Sequence, residues 1–315
     1  MKDVASLDEG LADPASSQLG RILILGSAGQ VGRELQRSFT GAGELICCDR
    51  QRADLANLDQ LRSVIRAAAP SVILNAAAYT AVDRAETDQQ TATAINALAP
   101  RVFAEEARRL DALLVHYSTD YVFDGSKNSP WLETDPTNPL NVYGATKLAG
   151  EQAIAEVGGK HLIFRTSWVY GPHGKNFLLT MLKLGRERDQ LKIVNDQTGS
   201  PTTSFAIAEV TRSIVNGVLS GTFGRVETWA GLYHMTCSDA TTWAGFARAI
   251  FEQAGSLIGD RVLEVIPIES RDYPTPAARP LYSVLSNEKL FGRFGVRLPP
   301  WTDGLHVALN RLRSA

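Results

Sequence analysis

A tyrosine and a lysine stand four residues apart in the segment Tyr143-Gly-Ala-Thr-Lys147. On a helix this spacing brings the phenol and the ammonium group to one face. A neighbouring positive charge stabilises a phenolate and lowers the pKa of the tyrosine, which suits a general acid in carbonyl reduction. The pair therefore predicts Tyr143 as a proton donor and Lys147 as its partner.

Hydroxyl groups precede this pair in the segment Tyr117-Ser-Thr-Asp120, at the end of a predicted strand. Side chains at the carboxyl end of a parallel strand face the ligand crevice of an α/β sheet. We therefore expect Ser118 or Thr119 to hold a substrate carbonyl oxygen beside Tyr143. Capping of the strand end is the alternative role for these hydroxyls.

A glycine-rich segment, Gly26-Ser-Ala-Gly29-Gln-Val-Gly32, joins a predicted strand to a predicted helix. The first glycine permits a tight turn, the second lets backbone amides approach a pyrophosphate, and the third lets the helix pack close to the strand. This pattern predicts a nicotinamide dinucleotide site, in which the protein positions the cofactor and supplies a proton. A plain strand-to-helix turn is the alternative.

Asp49 lies at the end of the second predicted strand, where an acid accepts hydrogen bonds from an adenosine ribose. Arg50 beside it suits a 2′-phosphate unless it is simply solvated, so the pair is compatible with NADH and with NADPH. Asp54 either approaches the adenine or caps the next helix. Small residues at 76–78 end the third strand and leave room for a flat cofactor.

Short apolar runs alternate with helical patterns from Arg21 onward, which predicts βαβ units and a parallel sheet. The expected fold class is α/β, a Rossmann-type doubly wound parallel sheet with a smaller C-terminal substrate-binding lobe. The predicted strands cover 21–25, 44–48, 71–75, 112–117 and 161–166. The predicted helices cover 30–39, 58–69, 91–110, 142–156, 177–186, 204–218 and 243–254. We expect a flexible leader over 1–20, a cofactor-binding domain over 21–170 to which strands near 191–235 return, and the second lobe over 171–315.

Composition narrows the function classes. Hydrophobic residues make up 44% of the 315 residues and charged residues 21%, as in a globular protein. The 32 basic and 34 acidic side chains give a net charge of -2, which offers no basic field for nucleic acid, and no apolar run is long enough to cross a membrane. Three cysteines without zinc spacing suggest a reducing cytoplasm, and five scattered histidines predict no metal site.

Taken together, these motifs identify a resemblance to the extended short-chain dehydrogenases/reductases. The segments that carry it are 26–36, 75–83, 116–125, 139–144, 165–170, 195–197, 273–276 and 279–280. The resemblance implies NADPH- or NADH-dependent reduction of the C4 keto group of dTDP-4-dehydro-L-rhamnose to dTDP-L-rhamnose, the last step in the synthesis of that sugar donor. The alternatives are another sugar-nucleotide epimerase, dehydratase or reductase of the family, and a non-catalytic nucleotide-binding regulatory subunit.

The resemblance also assigns roles by position. Tyr143 would donate the proton, Lys147 would assist it, and both would touch the cofactor, while Thr119, Asp120 and Trp168 would contact the sugar. By composition alone Trp168 would be a core residue. The implied cofactor contacts are Gly26, Gly29, Gln30, Val31 and Gly32 for the pyrophosphate, Asp49 and Arg50 for the ribose, Asp54 and Leu55 for the adenine, and Ala76, Ala77, Ala78 and Tyr117 for the nicotinamide half.

Two departures from the family pattern concern the partners of this chain. Some members form a dimer bridged by Mg²⁺ through three glutamates, but here only Glu34 is present, and Phe205 and Arg311 occupy the other two positions. This argues against a metal-bridged dimer, and we expect a monomer or a homodimer. The segment 281–283 lacks the asparagine that the family commonly has before the serine, which weakens any prediction for the nucleotide-facing loop.

Overall fold

The computed structural model describes residues 19–314, so the predicted leader lies outside the described residues except for its last two. These two residues extend the pairing between the first two strands of the sheet. The backbone N–H of Leu19 donates to the carbonyl oxygen of Ala42 at 2.7 Å, and that of Glu44 donates to the carbonyl oxygen of Gly20 at 2.9 Å. The residues just before the first strand are therefore already hydrogen-bonded to the segment that leads into the second.

A six-stranded parallel sheet forms the centre of the molecule, with the strand order β10-β5-β4-β3-β1-β2. Its strands are β1 Arg21–Leu25, β2 Glu44–Cys48, β3 Val72–Asn75, β4 Leu113–Thr119, β5 His161–Thr166 and β10 Gly231–His234. From β1 the chain first moves outward to β2 and then returns to β3 on the other side. This reversal opens a crevice at the carboxyl ends of β1 and β3, where doubly wound sheets bind ligands.

Helices cover both faces of the sheet because the strands are apolar on both faces. In β1, Ile22 and Ile24 belong to one buried cluster and Leu23 and Leu25 to the other, and all four are fully buried. The helices are α1 Gln30–Phe39, α2 Leu58–Ala68, α3 Val82–Ala85, α4 Gln89–Thr93, α5 Ala99–Leu110, α6 Val142–Val157, α7 Phe177–Glu187, α8 Ser204–Leu219, α9 Val226–Trp229, α10 Trp243–Ala254, α11 Glu288–Phe294 and α12 Trp301–Arg313. The predicted fold class is confirmed.

The prediction of one continuous helix over 91–110 is wrong, because the structure divides this stretch into three helical segments. The structure has α4, a π-helical turn over Ala94–Leu98 and then α5, so the helical stretch is widened near its start. Pro100 has no N–H to donate to the carbonyl group of Asn96 four residues earlier, which disfavours a regular α-helical turn at this point. The helix α6 packs closely here, since a β-carbon on Gly150 would lie 2.2 Å from the Asn96 carbonyl oxygen.

After β5, the described part of the chain adds only one more strand to the main sheet. Within the range 191–235, β10 pairs with β5, whereas β7 Gln190–Val194 pairs with β12 Glu264–Ile268 in a separate two-stranded sheet. The expected return to the central sheet therefore applies to β10 and is wrong for β7. The remaining short strands are β6 Val169–Tyr170, β8 Thr198–Gly199, β9 Thr202–Thr203 and β11 Thr241–Thr242. Among the described residues no helix is long and apolar enough to cross a membrane.

Candidate active site

A cavity of about 860 Å³ occupies the crevice at the carboxyl ends of the central strands. Every predicted site residue lines it except Gly32. The glycine loop, the strand ends of β3 and β4, the start of α6 and the segment after β5 all contribute to its wall. Residues that are separated by more than a hundred positions in the sequence therefore share one cavity.

The glycine loop is shaped by close backbone contacts. Gly26 has a φ of +71°, and a β-carbon there would lie 2.7 Å from the Ala77 nitrogen. Gly32 lies behind the loop, where a β-carbon would lie 2.1 Å from the Gly26 carbonyl oxygen. Gly29 and Gln30 line the cavity at the N-terminus of α1, which carries the positive end of the helix dipole. This cradle suits a pyrophosphate.

Asp49 and Arg50 line the cavity just after β2, and local hydrogen bonds hold the carboxylate of Asp49. One carboxylate oxygen of Asp49, Oδ1, accepts from the backbone N–H groups of Gln51 and Arg52, at 3.0 and 3.1 Å. Arg50 is 79% exposed at its side chain, and its Nε lies 4.0 Å from Oδ1 of Asp54. Both Asp49 and Arg50 therefore remain accessible to an adenosine ribose or its 2′-phosphate.

The capping alternative for Asp54 is wrong. Asn57 caps α2, and its Oδ1 accepts from the backbone N–H of Gln60 at 3.1 Å. Asp54 instead accepts from the backbone N–H of Ala56 at 3.1 Å, which makes a local turn before the helix. Asp54 and Leu55 both line the cavity, so this turn contributes to the pocket expected to receive the adenine.

Tyr143, in the first turn of α6, lies at the opposite end beside the last residues of β4. Its ring meets the ring of Tyr121 edge-on, with centroids 5.8 Å apart. Thr119 donates a hydrogen bond from Oγ1 to Asp120 Oδ1 at 3.1 Å and accepts one from the Tyr121 N–H at 3.2 Å. Burial raises the pKa of Tyr143 to about 12, although a hydrogen bond with Thr119 acts in the opposite direction. The phenol is therefore protonated at neutral pH, as a proton donor must be.

Lys147 does not act on Tyr143 in the way the sequence predicts. Its Nζ donates to the Tyr117 carbonyl oxygen at 2.6 Å and lies 3.1 Å from Nε2 of His116. Burial lowers the pKa of Lys147 to about 8, and the lysine is not among the groups that shift the pKa of Tyr143. The expected lowering of the tyrosine pKa is therefore wrong for this arrangement, because the ammonium group is directed at β4.

Asp120 is the buried carboxyl group of the site, with 2% of its surface exposed. Burial raises its pKa to about 6, and hydrogen bonds with Ser283, Ser167 and Thr119 oppose this shift. The hydroxyl of Ser167 donates to Asp120 Oδ2 at 3.0 Å. A polar cluster thus surrounds the carboxyl end of β4.

Two buried hydroxyl groups at the cavity suit polar groups of a ligand. Ser118 and Thr166 line it at the ends of the neighbouring strands β4 and β5. Neither hydroxyl has a hydrogen-bond partner within residues 19–314. Buried polar groups without partners are costly, so a ligand that satisfies them is favoured. Together with the glycine cradle, they fit a dinucleotide cofactor and a polar substrate.

Thr166, His116 and the cations Arg84 and Lys175 belong to the site but are absent from the sequence predictions. The rule that placed Thr119 at a strand end would also have found Thr166, since the two are paired neighbours in the sheet. His116 has no such signal, because its contact with Lys147 depends on the packing of α6 against β4. The hydroxyl of Tyr117 forms a hydrogen bond with Thr211 Oγ1 at 2.8 Å.

Of the three residues at the positions considered for a bridging metal, Arg311 contacts both Glu34 and Phe205. Glu34 is buried, and its Oε2 lies 3.2 Å from a guanidinium nitrogen of Arg311. The same guanidinium lies over the ring of Phe205, 4.1 Å from its centroid. Across residues 19–314 no group of three or more histidine, cysteine, aspartate or glutamate side chains is arranged to hold a metal ion.

Comparison with known proteins gives a consistent result. The family model described as "RmlD substrate binding domain" matches residues 20–314. The dTDP-4-dehydrorhamnose reductase of Burkholderia thailandensis is 47% identical over 297 residues, which cover 93% of this chain and 99% of that protein. The enzyme of the same name from Escherichia coli K12 is 44% identical over 298 residues, covering 92% and 97%.

A solved structure agrees with these matches. The structure of dTDP-4-dehydrorhamnose reductase from Bacillus anthracis, in complex with NADP, has a TM-score of 0.84 and 34% identity. The alignment covers 92% of this chain and 99% of that one. The similarity therefore extends over both the sheet and the later segments.

Proposed function

The chain belongs to the RmlD substrate-binding-domain family, and we propose that it reduces the C4 keto group of dTDP-4-dehydro-L-rhamnose, with NADPH or NADH, to give dTDP-L-rhamnose. The observation that carries this proposal is the convergence of Tyr143 and Thr119 with the glycine loop in one cavity. A protonated phenol and a hydroxyl at a strand end can together hold and protonate a carbonyl oxygen.

The cofactor would lie along the carboxyl edge of the sheet. Gly29 and Gln30 at the start of α1 would hold its pyrophosphate, Asp49 and Arg50 its adenosine ribose, and the small residues at 76–78 its nicotinamide half. When bound, the reduced nicotinamide supplies the hydride for the carbon atom. The protein residues orient the ring, exclude water and provide the proton.

The reacting end would divide the work between three side chains. Thr119 would hold the C4 carbonyl oxygen, and Tyr143 would donate its phenolic proton to that oxygen as the alcohol forms. Lys147 would keep the strand end and the cofactor ribose in place through its ammonium group, which already donates to the Tyr117 carbonyl oxygen. Asp120 and Trp168 would contact the sugar from the same side of the cavity.

The organisation of the chain follows from these roles. Residues 21–170 would bind the cofactor, and residues 171–315 would mostly bind the sugar nucleotide. The chain would act as a monomer or a homodimer without a bridging metal, since the carboxylate of Glu34 already forms an ion pair with Arg311. The three free cysteines fit a reducing cytoplasm.

Absorbance of the reduced cofactor tests this function directly. The wild-type protein, mixed with NADPH or NADH and dTDP-4-dehydro-L-rhamnose, should consume cofactor and sugar in equal amounts and release dTDP-L-rhamnose. Tight binding of cofactor without any turnover would contradict the proposal and indicate a non-catalytic nucleotide-binding subunit. Release of an epimer or a dehydrated sugar without net cofactor consumption would indicate another enzyme of the wider superfamily.

A further inference from the structure

The indole ring of Trp168 lies flat on a second tryptophan that does not line the cavity. The rings of Trp168 and Trp243 are 3.5 Å apart between centroids and 6° from parallel. Trp168 itself has a φ of +46°, a conformation that is rare for a bulky residue. Because such a conformation persists only when the surroundings impose it, the backbone at Trp168 is held by its neighbours.

Trp243 is fixed from three directions. It is the first residue of α10, whose N-terminus is capped by Thr242 through a hydrogen bond to the Gly245 N–H at 3.0 Å. Its indole Nε1 donates to Oε1 of Gln197 at 3.2 Å. The ring of Phe177 packs against it, with centroids 4.6 Å apart. The side chain therefore cannot turn without breaking several contacts.

Gly199 also packs tightly against Trp168. A β-carbon on Gly199 would lie 2.6 Å from Cε2 of Trp168, so only a glycine leaves room for the indole. Gly199 is paired with Thr241, two residues before Trp243, across β8 and β11. The pairing of β8 with β11 thus links Gly199, which packs against Trp168, to the residues just before Trp243.

A centred parallel stack is not the arrangement that two free aromatic rings prefer, since their like-charged faces oppose each other. The pair is therefore held in this geometry by the hydrogen bond to Gln197, the ring of Phe177 and the close approach of Gly199. Gln197, the last residue of the segment 195–197, therefore has a structural role. It also donates from Nε2 to Ser270 Oγ at 2.9 Å. The motif supports the wall of the cavity from behind.

We propose that Trp243 is a positioning residue, which fixes the plane of Trp168 and thereby the placement of the sugar ring at the reacting end. This inference rests on the proposed function, because it takes Trp168 as a sugar contact. The cofactor half of the cavity is formed by other elements, so loss of Trp243 should weaken sugar binding and leave cofactor binding unchanged.

Kinetics of Trp243→Leu and Trp243→Phe test the inference. Trp243→Leu should raise the KM for the dTDP-sugar about tenfold, with a smaller change in kcat and an unchanged Kd for NADPH. Trp243→Phe retains a flat ring and should stay within about twofold of the wild-type KM. Equal losses of sugar binding, NADPH binding and thermal stability in both variants would contradict a positioning role.

Circular dichroism checks the stack itself. Two stacked indoles give an exciton couplet, which should disappear in Trp243→Phe and in Trp168→Phe. It should persist in the control Trp229→Phe, which removes a buried tryptophan outside this stack. A couplet unchanged in Trp243→Phe would overturn the proposed stack. If the wild type turns over the sugar but Trp243→Leu keeps its KM, only this inference fails, whereas an inactive wild type refutes the proposed function.

Discussion

At the scale of single residues, burial favours the uncharged form of three side chains in the site. Burial holds Tyr143 protonated, with a pKa of about 12, and lowers the pKa of Lys147 to about 8. It also raises the pKa of Asp120 to about 6. Displaced pKa values of this kind are common where side chains handle protons. The shifts of Lys147 and Asp120 cost stability at neutral pH, because burial disfavours their charged forms, whereas Tyr143 is protonated in both the folded and the unfolded chain.

Asp120→Asn should therefore stabilise the protein at neutral pH. The folded-state pKa of Asp120 is raised above the usual 3.8, so its contribution to stability is complete below pH 4 and is lost as the pH rises through about 6. The asparagine carries no such cost. We expect a gain in the free energy of unfolding on the order of 2 kcal/mol above pH 7 that vanishes towards pH 4.

Thermal or urea unfolding between pH 4 and pH 8 measures this gain. Asp124→Asn is the matched control, because hydrogen bonds from Ser126 and Asn138 lower the pKa of Asp124 and its substitution should give no gain. A stability difference for Asp120→Asn that does not change with pH would refute the explanation by burial of the carboxylate.

At the scale of elements, the sequence predicts what depends on local order along the chain. Hydrophobic periodicity and glycine spacing are enough to predict the strand–glycine–helix unit over 21–39 and the helix α6. Strand pairing explains why Thr166 belongs beside Thr119, and helix packing explains why Lys147 meets His116. The strand-end rule could have found Thr166, but the contact between Lys147 and His116 has no sequence signal, because it depends on the packing of α6 against β4.

Gly32→Ala should disrupt the cofactor cradle without changing any group that touches the ligand. The added methyl group would lie 2.1 Å from the Gly26 carbonyl oxygen and would force α1 away from the loop. We expect a rise in the Kd for NADPH of at least about tenfold, together with a lower melting temperature. Fluorescence titration and thermal unfolding give both values.

Gly292→Ala is the matched control for this substitution. Gly292 lies within α11, and a β-carbon there meets nothing within 4 Å. Alanine should raise stability by about 0.5–1 kcal/mol, since it favours a helix over glycine, and should leave the Kd unchanged. If Gly32→Ala bound NADPH as tightly as Gly292→Ala, close packing at the loop would not be needed.

At the scale of the whole molecule, a net charge of -2 means that phosphate groups are recognised locally. The start of α1 and a few cations at the cavity, such as Arg50, Arg84 and Lys175, supply the positive potential. The order of elements predicted the sheet that brings these residues together. The path of the chain after β5 was less predictable, because the short sequences of β7 and β10 do not reveal which sheet each strand joins.

The most direct test of the account is the turnover of Tyr143→Phe with NADPH and dTDP-4-dehydro-L-rhamnose. The substitution removes only the phenolic oxygen, whose proton is needed as the alcohol forms. We predict a fall in kcat of about 10²–10⁴-fold, with a Kd for NADPH within about twofold of the wild type. A kcat near that of the wild type would contradict the assignment of Tyr143 as the proton donor.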